Sequence, residues 1–220
     1  MDSVRTIVVN ENIFADNQRD AETVRDKLKN NGTVMLNIMS SPGSGKTTLL
    51  SAVINKLKSE FKIAVFDVDI ETDLDASKVS KNTGVKCVQI HNGGLCHIDA
   101  NMTLRALEQI DIKDYDLIFL ENIGNLVCPA EFDTGADKNI MLLSIPEGDD
   151  KPLKYPLMFS VSDLVVFSKI DTKPAFDFDE EKCKERILKL NPKAEFLSVS
   201  AKTGENIDEL ANYIRKLIKN

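Results

Sequence analysis

A loop that could hold the phosphates of a nucleotide spans residues 41–48, Ser-Pro-Gly-Ser-Gly-Lys-Thr-Thr, between an apolar run and an amphipathic one. Its small residues allow consecutive backbone N–H groups to surround the α- and β-phosphates, and the positive end of the following helix dipole adds to this attraction. The Lys46 ammonium reaches the β- and γ-phosphate oxygens, and the Thr47 hydroxyl offers a ligand to Mg²⁺. The predicted nucleotide contacts are Gly43, Ser44, Gly45, Lys46, Thr47 and Thr48.

The loop departs from the common Gly-x-x-x-x-Gly-Lys-Thr pattern at its first position, where the sequence has Ser40. Serine is also small, and here it ends the preceding apolar run, so the nucleotide prediction stands. The alternative is a glycine-rich turn between a strand and a helix that binds no nucleotide.

Two short polar segments further along the chain predict which base is bound. Residues 168–171, Ser-Lys-Ile-Asp, and residues 200–204, Ser-Ala-Lys-Thr-Gly, each follow an apolar run. The Asp171 carboxylate only accepts hydrogen bonds, so it fits the N1–H and N2 amino protons of guanine and not the unprotonated N1 of adenine. Lys169 lays its aliphatic stem along the base, and a backbone N–H near Ala201 donates to guanine O6. The predicted base contacts are Lys169, Asp171, Ser200, Ala201 and Lys202.

The first of these segments has Ser168 where the Asn-Lys-x-Asp signature has asparagine. Taken alone, the segment is also compatible with a run of solvated charges. Its position behind a phosphate loop and before residues 200–204 favours a GTPase over an ATPase.

Carboxylates at the ends of two other apolar runs predict a magnesium site beside the phosphate loop. Asp69 closes one run and is the first candidate for the Mg²⁺ shell, with Asp75 second. Residues 121–124, Glu-Asn-Ile-Gly, occupy the place of an Asp-x-x-Gly switch, so Glu121 would hold Mg²⁺ through a water while Gly124 donates its N–H to the γ-phosphate. The alternative is a set of carboxylates that only solvate the edge of a sheet. The predicted catalytic group is Lys46, Thr47, Asp69, Glu121 and Gly124, and the predicted magnesium ligands are Thr47, Asp69, Asp75 and Glu121.

A thiol and an imidazole stand side by side at Cys96 and His97, before an amphipathic segment, and Cys128 lies in the loop that leaves residues 121–124. Thiolate and imidazole groups suit both zinc and nickel. Three ligands do not close a tetrahedral structural site, so the set predicts either an open coordination position or a site shared between two subunits. The alternative is that both cysteines are small buried residues near the nucleotide.

Neither of the other two cysteines, nor the other histidine, stands next to a second cysteine or histidine in the sequence. Cys87 lies inside an apolar run and is predicted to be a core residue, whereas Cys183 lies in a charged helical segment and is predicted to be at the surface. His91 is interpreted as an ordinary residue at the end of a strand.

Short apolar runs alternate with amphipathic segments along the chain, which is the pattern of an α/β fold: a mostly parallel central sheet with helices on both faces, as in P-loop NTPases. We predict one domain over residues 1–220, with residues 1–32 as an N-terminal helical extension and residues 147–156 as a functional loop. Predicted strands are 34–40, 62–69, 86–90, 116–121, 140–145, 164–169 and 195–200, and predicted helices are 20–30, 46–60, 73–82, 98–109, 180–190 and 206–219.

Composition restricts the function classes. The 28 Lys and Arg against 35 Asp and Glu give a net charge of −7, which disfavours a general nucleic-acid binder. No uncharged apolar run approaches the roughly 18 residues of a membrane-spanning helix, and no export signal is recognised, so we expect a cytoplasmic protein without a membrane partner. Four cysteines are too few for a disulfide scaffold in a chain of this size.

Six segments, taken in order, resemble the HypB family of hydrogenase-maturation GTPases, which help to insert nickel. The resemblance extends from about residue 33 to the C-terminus. The related family UreG, which serves urease maturation, is similar in the phosphate loop but has Cys-Pro-His where this sequence has adjoining Cys96 and His97. The six segments are residues 41–48, 67–75, 93–102, 121–128, 148–159 and 200–202.

The resemblance implies a slow Mg²⁺-dependent GTPase that forms a homodimer with GTP bound and holds nickel or zinc at Cys96, His97 and Cys128. It also implies two partners, a hydrogenase-maturation protein and the hydrogenase large subunit. Many family members carry an N-terminal cysteine-rich or histidine-rich metal motif, but here no cysteine precedes Cys87 and no histidine precedes His91. We therefore expect metal transfer coupled to the nucleotide rather than metal storage.

Three alternatives remain open from the sequence. A UreG-like urease-maturation GTPase would share the phosphate loop. A P-loop kinase acting on a small molecule would prefer ATP and would not need Asp171. A nucleotide-responsive metal sensor would exchange GTP without turning it over.

Overall fold

The computed structural model describes residues 11–69 and 74–219. Its strands are β1 (Val34–Ser40), β2 (Ile63–Asp69), β3 (Lys86–His91), β4 (Leu117–Gly124), β5 (Lys138–Ser144), β6 (Leu164–Ser168) and β7 (Glu195–Ser198). Its α-helices are α1 (Glu11–Asn31), α2 (Lys46–Leu57), α3 (Leu74–Thr83), α4 (Ala100–Leu107), α5 (Lys151–Lys154), α6 (Pro156–Ser160), α7 (Glu180–Leu190) and α8 (Ile207–Lys219). Short 3₁₀ helices occur at Ile112–Asp114, Cys128–Ala130, Ile145–Glu147 and Ile170–Ala175.

The seven strands form one sheet in the order β3-β2-β4-β1-β5-β6-β7, and every described strand pair is parallel. The predicted α/β class is therefore confirmed. Strand β1 lies in the middle, between β4 and β5, so the loop that follows it opens at the carboxyl edge of the sheet. Ligands bind at this edge in open parallel sheets, where neighbouring strands connect in opposite directions.

Helices cover both faces of the sheet. On one face, Leu36 and Ile38 of β1 share a buried apolar cluster with Leu49 and Ile54 of α2, and α8 contributes Leu210 to the same cluster. Alternate residues of a strand point to opposite faces, so the neighbouring residues of β1 belong to the other side. Burying both faces explains why these strands are apolar along most of their length.

The opposite face is covered in two parts. Helix α1 contributes Val24 and Leu28 to a cluster that includes Met35 of β1 and Phe66 of β2, and α4 packs in the same cluster. Near β6, Phe167 packs in a second cluster with residues of α6 and α7. The segment predicted as an N-terminal extension thus supplies a helix that packs in the core, and this helix begins at Glu11 rather than at residue 20.

Three boundaries and one predicted loop differ from the predictions in ways that affect the site. Strand β4 continues to Gly124, three residues beyond the predicted end. Strand β3 extends to His91, and α4 begins only at Ala100, where Asp99 caps it by accepting a hydrogen bond from the Met102 N–H. The polar segment 147–156 contains α5 and the start of α6.

No helix in the described part of the chain is long and apolar enough to cross a membrane.

Candidate functional site

The phosphate loop has the backbone that its glycines permit. Gly43 and Gly45 adopt φ angles of 74° and 102°, in the left-handed region that other residues rarely occupy. Gly45 is the N-cap of α2, and no side chain caps that end of the helix. The N-terminus of α2 therefore faces the loop with its backbone donors, which is the arrangement that favours a bound phosphate.

Ser40 anchors the key lysine of the loop. The Lys46 ammonium donates to Ser40 Oγ at 2.8 Å, and Ser40 Oγ in turn donates to the carbonyl oxygen of Ser41. The serine that replaces the expected glycine is fully buried. Its hydroxyl thus gives Lys46 a defined position at the mouth of the loop.

Gly124 is a glycine because the backbone of the phosphate loop lies against it. A Cβ on Gly124 would come within 2.9 Å of Pro42 Cα and of Pro42 N, closer than real Cβ contacts. Its register partner is Ser40, after a shift in the pairing of β1 with β4. The end of the predicted switch is therefore packed directly on the phosphate loop.

Glu121 is joined to the phosphate loop by a hydrogen bond from Thr47, whose hydroxyl donates to Glu121 Oε1 at 2.8 Å. Asp67 is the register partner of Glu121 on the neighbouring strand β2. Both carboxylate residues are 3% exposed. Two buried carboxylates and a hydroxyl form an all-oxygen donor set, and such donors suit Mg²⁺.

Asp67 is a functional candidate that was not predicted from the sequence. It precedes Asp69 by two positions, and residues two apart on a strand point to the same face, so strand periodicity alone could have found it. The side chains of Asp69 and Asp75, which were selected, lie outside the described residues, so these two magnesium ligands stay predictions.

A cavity of about 450 Å³ opens over the phosphate loop and the ends of β2 and β4. Lys78 of α3 and Asn122 of β4 line it together with the predicted residues, and neither was expected from the sequence. Five of the predicted nucleotide contacts line this cavity: Gly43, Gly45, Lys46, Thr47 and Thr48. The two residues with predicted roles in the switch, Glu121 and Gly124, line it as well. Ser44, the remaining predicted contact of the phosphate loop, is buried.

The segment predicted to bind the base is tied to the phosphate loop by two hydrogen bonds. Ser168 Oγ donates to the Ser44 carbonyl oxygen at 2.9 Å, and Lys169 Nζ donates to the Gly43 carbonyl oxygen at 2.7 Å. Lys169 also adopts a left-handed φ of 58°, which directs its chain across the loop. Serine at position 168 thus links the base segment to the phosphate loop, a contact that the sequence did not reveal.

Asp171 is held by the second base segment. Ser200 Oγ donates to Asp171 Oδ1 at 2.7 Å, and Lys202 Nζ lies 3.9 Å from Asp171 Oδ2. Ala201, the predicted donor to O6, lies between these two residues in a turn closed by the Gly204 N–H, which donates to the Ser200 carbonyl oxygen. All five predicted base contacts therefore belong to one cluster at the ends of β6 and β7.

The thiols of Cys96 and Cys128 lie together at the same edge of the sheet, with their sulfur atoms 2.8 Å apart. Both cysteines are free, and Cys96 is exposed while Cys128 is half-buried. The hydrogen bond to Cys128 raises the pKa of the Cys96 thiol. The predicted pairing of these two cysteines thus matches their positions, and neither is a buried core residue.

The His97 ring lies farther from the thiol pair than the two sulfur atoms lie from each other. Its Nδ1 is 3.9 Å from Cys96 Sγ, and its ring stacks on Phe132 with the ring centres 3.8 Å apart. Burial lowers the pKa of His97, so the neutral ring, which is the ligating form, is favoured. Within residues 11–69 and 74–219, no group of three His, Cys, Asp or Glu side chains is arranged to hold a metal ion.

The burial of the two remaining cysteines differs from the prediction. Cys183 was predicted to be at the surface but is fully buried on the inner face of α7. It packs in the cluster that contains Phe167, because the apolar stripe of this charged helix includes it. Burial raises its pKa to about 12. Cys87 is only partly buried, against the cluster on the α2 face, and burial raises its pKa to about 11. His91 ends β3, as interpreted from the sequence, and its side chain is exposed.

The polar segment after β5 is attached to the phosphate loop as well. Glu147 accepts a hydrogen bond from Ser41 Oγ through one carboxylate oxygen and from the N–H and hydroxyl of Ser144 through the other. Two residues further on, Asp149 pairs with Arg186 of α7 at 2.6 Å. This segment is therefore anchored on both sides.

Comparison with known proteins agrees with this geometry. Residues 34–198 match the family model described as the CobW/HypB/UreG nucleotide-binding domain. The hydrogenase maturation factor HypB of Azotobacter chroococcum is 42% identical over 212 residues, which cover 96% of this chain and 69% of that protein. The probable hydrogenase maturation factor HypB of Methanocaldococcus jannaschii is 37% identical over 219 residues, covering 100% of this chain and 99% of that one. Among solved structures, HypB from Helicobacter pylori in complex with nickel superimposes with a TM-score of 0.87 at 38% identity, covering 93% of this chain and 95% of that chain.

Proposed function

The chain belongs to the HypB group of the CobW/HypB/UreG family, and we propose that it is a Mg²⁺-dependent GTPase that couples GTP binding and hydrolysis to nickel delivery during [NiFe]-hydrogenase maturation. The GTPase assignment rests on the hydrogen bonds that connect the predicted base-binding segments with the phosphate loop and with each other. Ser168 and Lys169 are bonded to the phosphate loop, and Asp171 stands two residues beyond Lys169, fixed by Ser200. A carboxylate acceptor at this place selects guanine over adenine.

In the proposed reaction, the chain binds the triphosphate through the phosphate-loop N–H groups and places Lys46 against the β- and γ-phosphate oxygens. Thr47 and Glu121, with Asp67 beside them, are the residues that would hold Mg²⁺, which supplies neutralisation of the charge that develops on the phosphates. The Gly124 N–H is then a donor to the γ-phosphate. No glutamine among the described residues lining the cavity could orient the attacking water, so slow turnover is expected.

The transported metal belongs at the thiol pair in this proposal. Cys96 and Cys128 supply two sulfur ligands, and His97 becomes the third when its ring leaves Phe132. Nickel is favoured over zinc as cargo because the HypB of Helicobacter pylori is described as a nickel complex. Two or three ligands leave a coordination position open, which suits a metal that has to be released to a receiving protein.

The connection between nucleotide and metal runs through a short segment of chain. Gly124 packs on Pro42 of the phosphate loop, and Cys128 follows Gly124 by four residues. A shift of Gly124 on loss of the γ-phosphate would therefore move one metal ligand relative to the other. We include in the proposal a GTP-dependent homodimer in the cytoplasm, with a hydrogenase-maturation protein and the hydrogenase large subunit as partners.

Phosphate release under multiple turnover, with GTP and ATP compared, tests the enzymatic part of the proposal. We expect turnover with GTP that Lys46→Ala abolishes, because the charge on the β- and γ-phosphate oxygens is lost while the melting temperature stays near that of the parent. Preference for ATP would indicate a small-molecule kinase, and GTP binding without turnover would indicate a metal sensor. Either result would contradict the proposed GTPase.

A further inference from the structure

The sulfur atoms of Cys96 and Cys128 are 2.8 Å apart, and both residues are unbonded thiols. A disulfide bond is about 2.05 Å long, so a shift of less than about 1 Å along the line between the two atoms would bring them to bonding distance. The two residues are 32 positions apart in sequence, so the fold rather than local chain geometry brings them together.

Hydrogen bonds hold the two loops that carry these thiols. The Asn92 side-chain amide donates to the carbonyl oxygens of Leu95 and His97, at 2.7 and 2.9 Å, and so fixes the backbone on both sides of Cys96. Asn125 links the loops, since its Nδ2 donates to the Cys96 carbonyl oxygen while its Oδ1 accepts from the Val127 N–H. Much of the entropic cost of joining the loops is therefore already met by the fold.

The two thiols also differ from the other cysteines in access. Cys96 is exposed and Cys128 is half-buried, so a small reagent can reach Cys96 first, with Cys128 beside it. Cys183 is fully buried, and Cys87 lies on β3, away from both loops. The four cysteines thus separate into one accessible pair and two residues without a thiol partner within the described chain.

We propose that Cys96 and Cys128 form a reversible intramolecular disulfide by exchange with a small disulfide such as oxidised glutathione. The Cys96 thiolate attacks one sulfur of the reagent, forms a mixed disulfide and expels the first thiolate. The Cys128 thiolate then attacks Cys96 Sγ and expels the second thiolate. The two cysteines lose two electrons, the reagent becomes two thiols, and the two cysteine protons are taken up by the two leaving thiolates.

The consequence for metal transfer rests on the proposed function. A disulfide has no thiolate to ligate nickel or zinc, so oxidation removes both sulfur ligands at once. A metal bound to both sulfur atoms in turn blocks the exchange. The nucleotide contacts include neither cysteine, so GTP turnover does not require reduced thiols.

The experiment uses the metal-free chain of 220 residues with Cys87→Ser, because trypsin would otherwise leave Cys87 and Cys96 in the same peptide, residues 87–105. The protein is incubated with oxidised glutathione and quenched with acid, after which thiols are counted and peptides are weighed. We expect two of the three remaining thiols to disappear and peptide 87–105 to be linked to peptide 114–138, which contains Cys128. In the matched Cys128→Ser variant, peptide 87–105 should instead carry one glutathione.

Separate glutathione adducts on the two peptides, an intermolecular cross-link, or no reaction at either cysteine would overturn the inference. Nickel binding and phosphate release are measured in parallel on the reduced protein. If the reduced protein hydrolyses GTP and binds nickel but never cross-links, only this inference is wrong. If it cross-links but binds no nickel, the disulfide stands and the metal-delivery proposal is wrong.

Discussion

The Thr47 hydroxyl donates a 2.8 Å hydrogen bond to Glu121 Oε1, which connects the first turn of α2 with strand β4 across the mouth of the phosphate loop. Together with Asp67, these are the residues that would hold Mg²⁺ in the proposed reaction. Both residues line the cavity that Lys46 also lines. The phosphate loop and the Glu-Asn-Ile-Gly segment, residues 121–124, therefore belong to one site.

Glu121→Gln separates the charge of this carboxylate from its hydrogen bond. The amide oxygen still accepts from Thr47, so the fold and GTP affinity should change little, whereas the lost negative charge weakens Mg²⁺ binding. We expect Mg²⁺-dependent phosphate release to fall by about 100-fold, the size typical of a lost electrostatic contact at a reacting phosphate or oxyanion. Phosphate release is measured across a Mg²⁺ titration, with the exposed Glu108→Gln as the matched control. Unchanged turnover at every Mg²⁺ concentration would remove Glu121 from the mechanism.

Asp171→Asn tests the choice of base. The new amide still accepts from Ser200 through its oxygen, but its NH₂ group opposes the N1–H and N2 amino group of guanine. Hydrogen bonds to a charged group contribute about 1.5–3 kcal/mol, so we expect GTP affinity to fall about tenfold or more and xanthine nucleotides to gain. Titration with a fluorescent nucleotide measures both, and the exposed Asp177→Asn provides the control. The guanine assignment is wrong if Asp171→Asn binds GTP as tightly as the parent does.

The surroundings of Glu180 predict that acid destabilises the fold near the predicted base-binding segments. Burial alone would raise its pKa, but hydrogen bonds from Lys173, Ser198 and Lys184 lower it to about 2, from an ordinary value of 4.5. A lowered pKa in the folded state stabilises the protein above the unfolded value, and this stabilisation is lost as the pH falls from about 5 toward 2.

Glu180→Gln should therefore lower the free energy of unfolding at pH 7, and its difference from the parent should shrink as the pH falls through that range. Urea unfolding at several pH values measures this difference. Glu181→Gln is the control: this carboxylate also contacts Lys184 but is mostly exposed, so the variant should differ from the parent by much less than Glu180→Gln does. A constant difference between parent and Glu180→Gln from pH 7 to pH 3 would contradict the linkage.

The sequence predicted much of the fold because most strands are short, almost uniformly apolar runs and the helices have clear amphipathic periods. Strand β1 and the start of α2 occur where the phosphate loop required them. The end of β4 was missed, since Asn122 and Gly124 are polar or small and look like a loop. In the structure they are held by contacts with other strands: Asn122 donates to Asn37 Oδ1 at 3.0 Å, and Gly124 packs on Pro42.

Long-range side-chain contacts account for the rest of what the sequence did not predict. Ser168 departs from the expected asparagine, yet its hydroxyl is bonded to a carbonyl 124 residues away. Cys183 was misplaced because the charged residues around it obscured the apolar stripe of α7. The separation of the Cys96 and Cys128 sulfur atoms likewise depends on two loops whose mutual position no local pattern encodes.

In the proposed mechanism, the nucleotide state controls a metal held by Cys96 and Cys128. To measure this control, reduced protein is titrated with nickel in the presence of a non-hydrolysable GTP analogue or GDP, while light scattering follows the mass. We expect the parent and Cys87→Ala to bind nickel with affinities that differ at least about fivefold between the two nucleotides, with dimers in the GTP-analogue state. Cys96→Ala and Cys128→Ala should each lose most of the bound metal. Full nickel binding by the Cys96→Ala, Cys128→Ala double variant would show that these thiols do not hold the metal, and equal affinity with both nucleotides would show that the nucleotide does not control it.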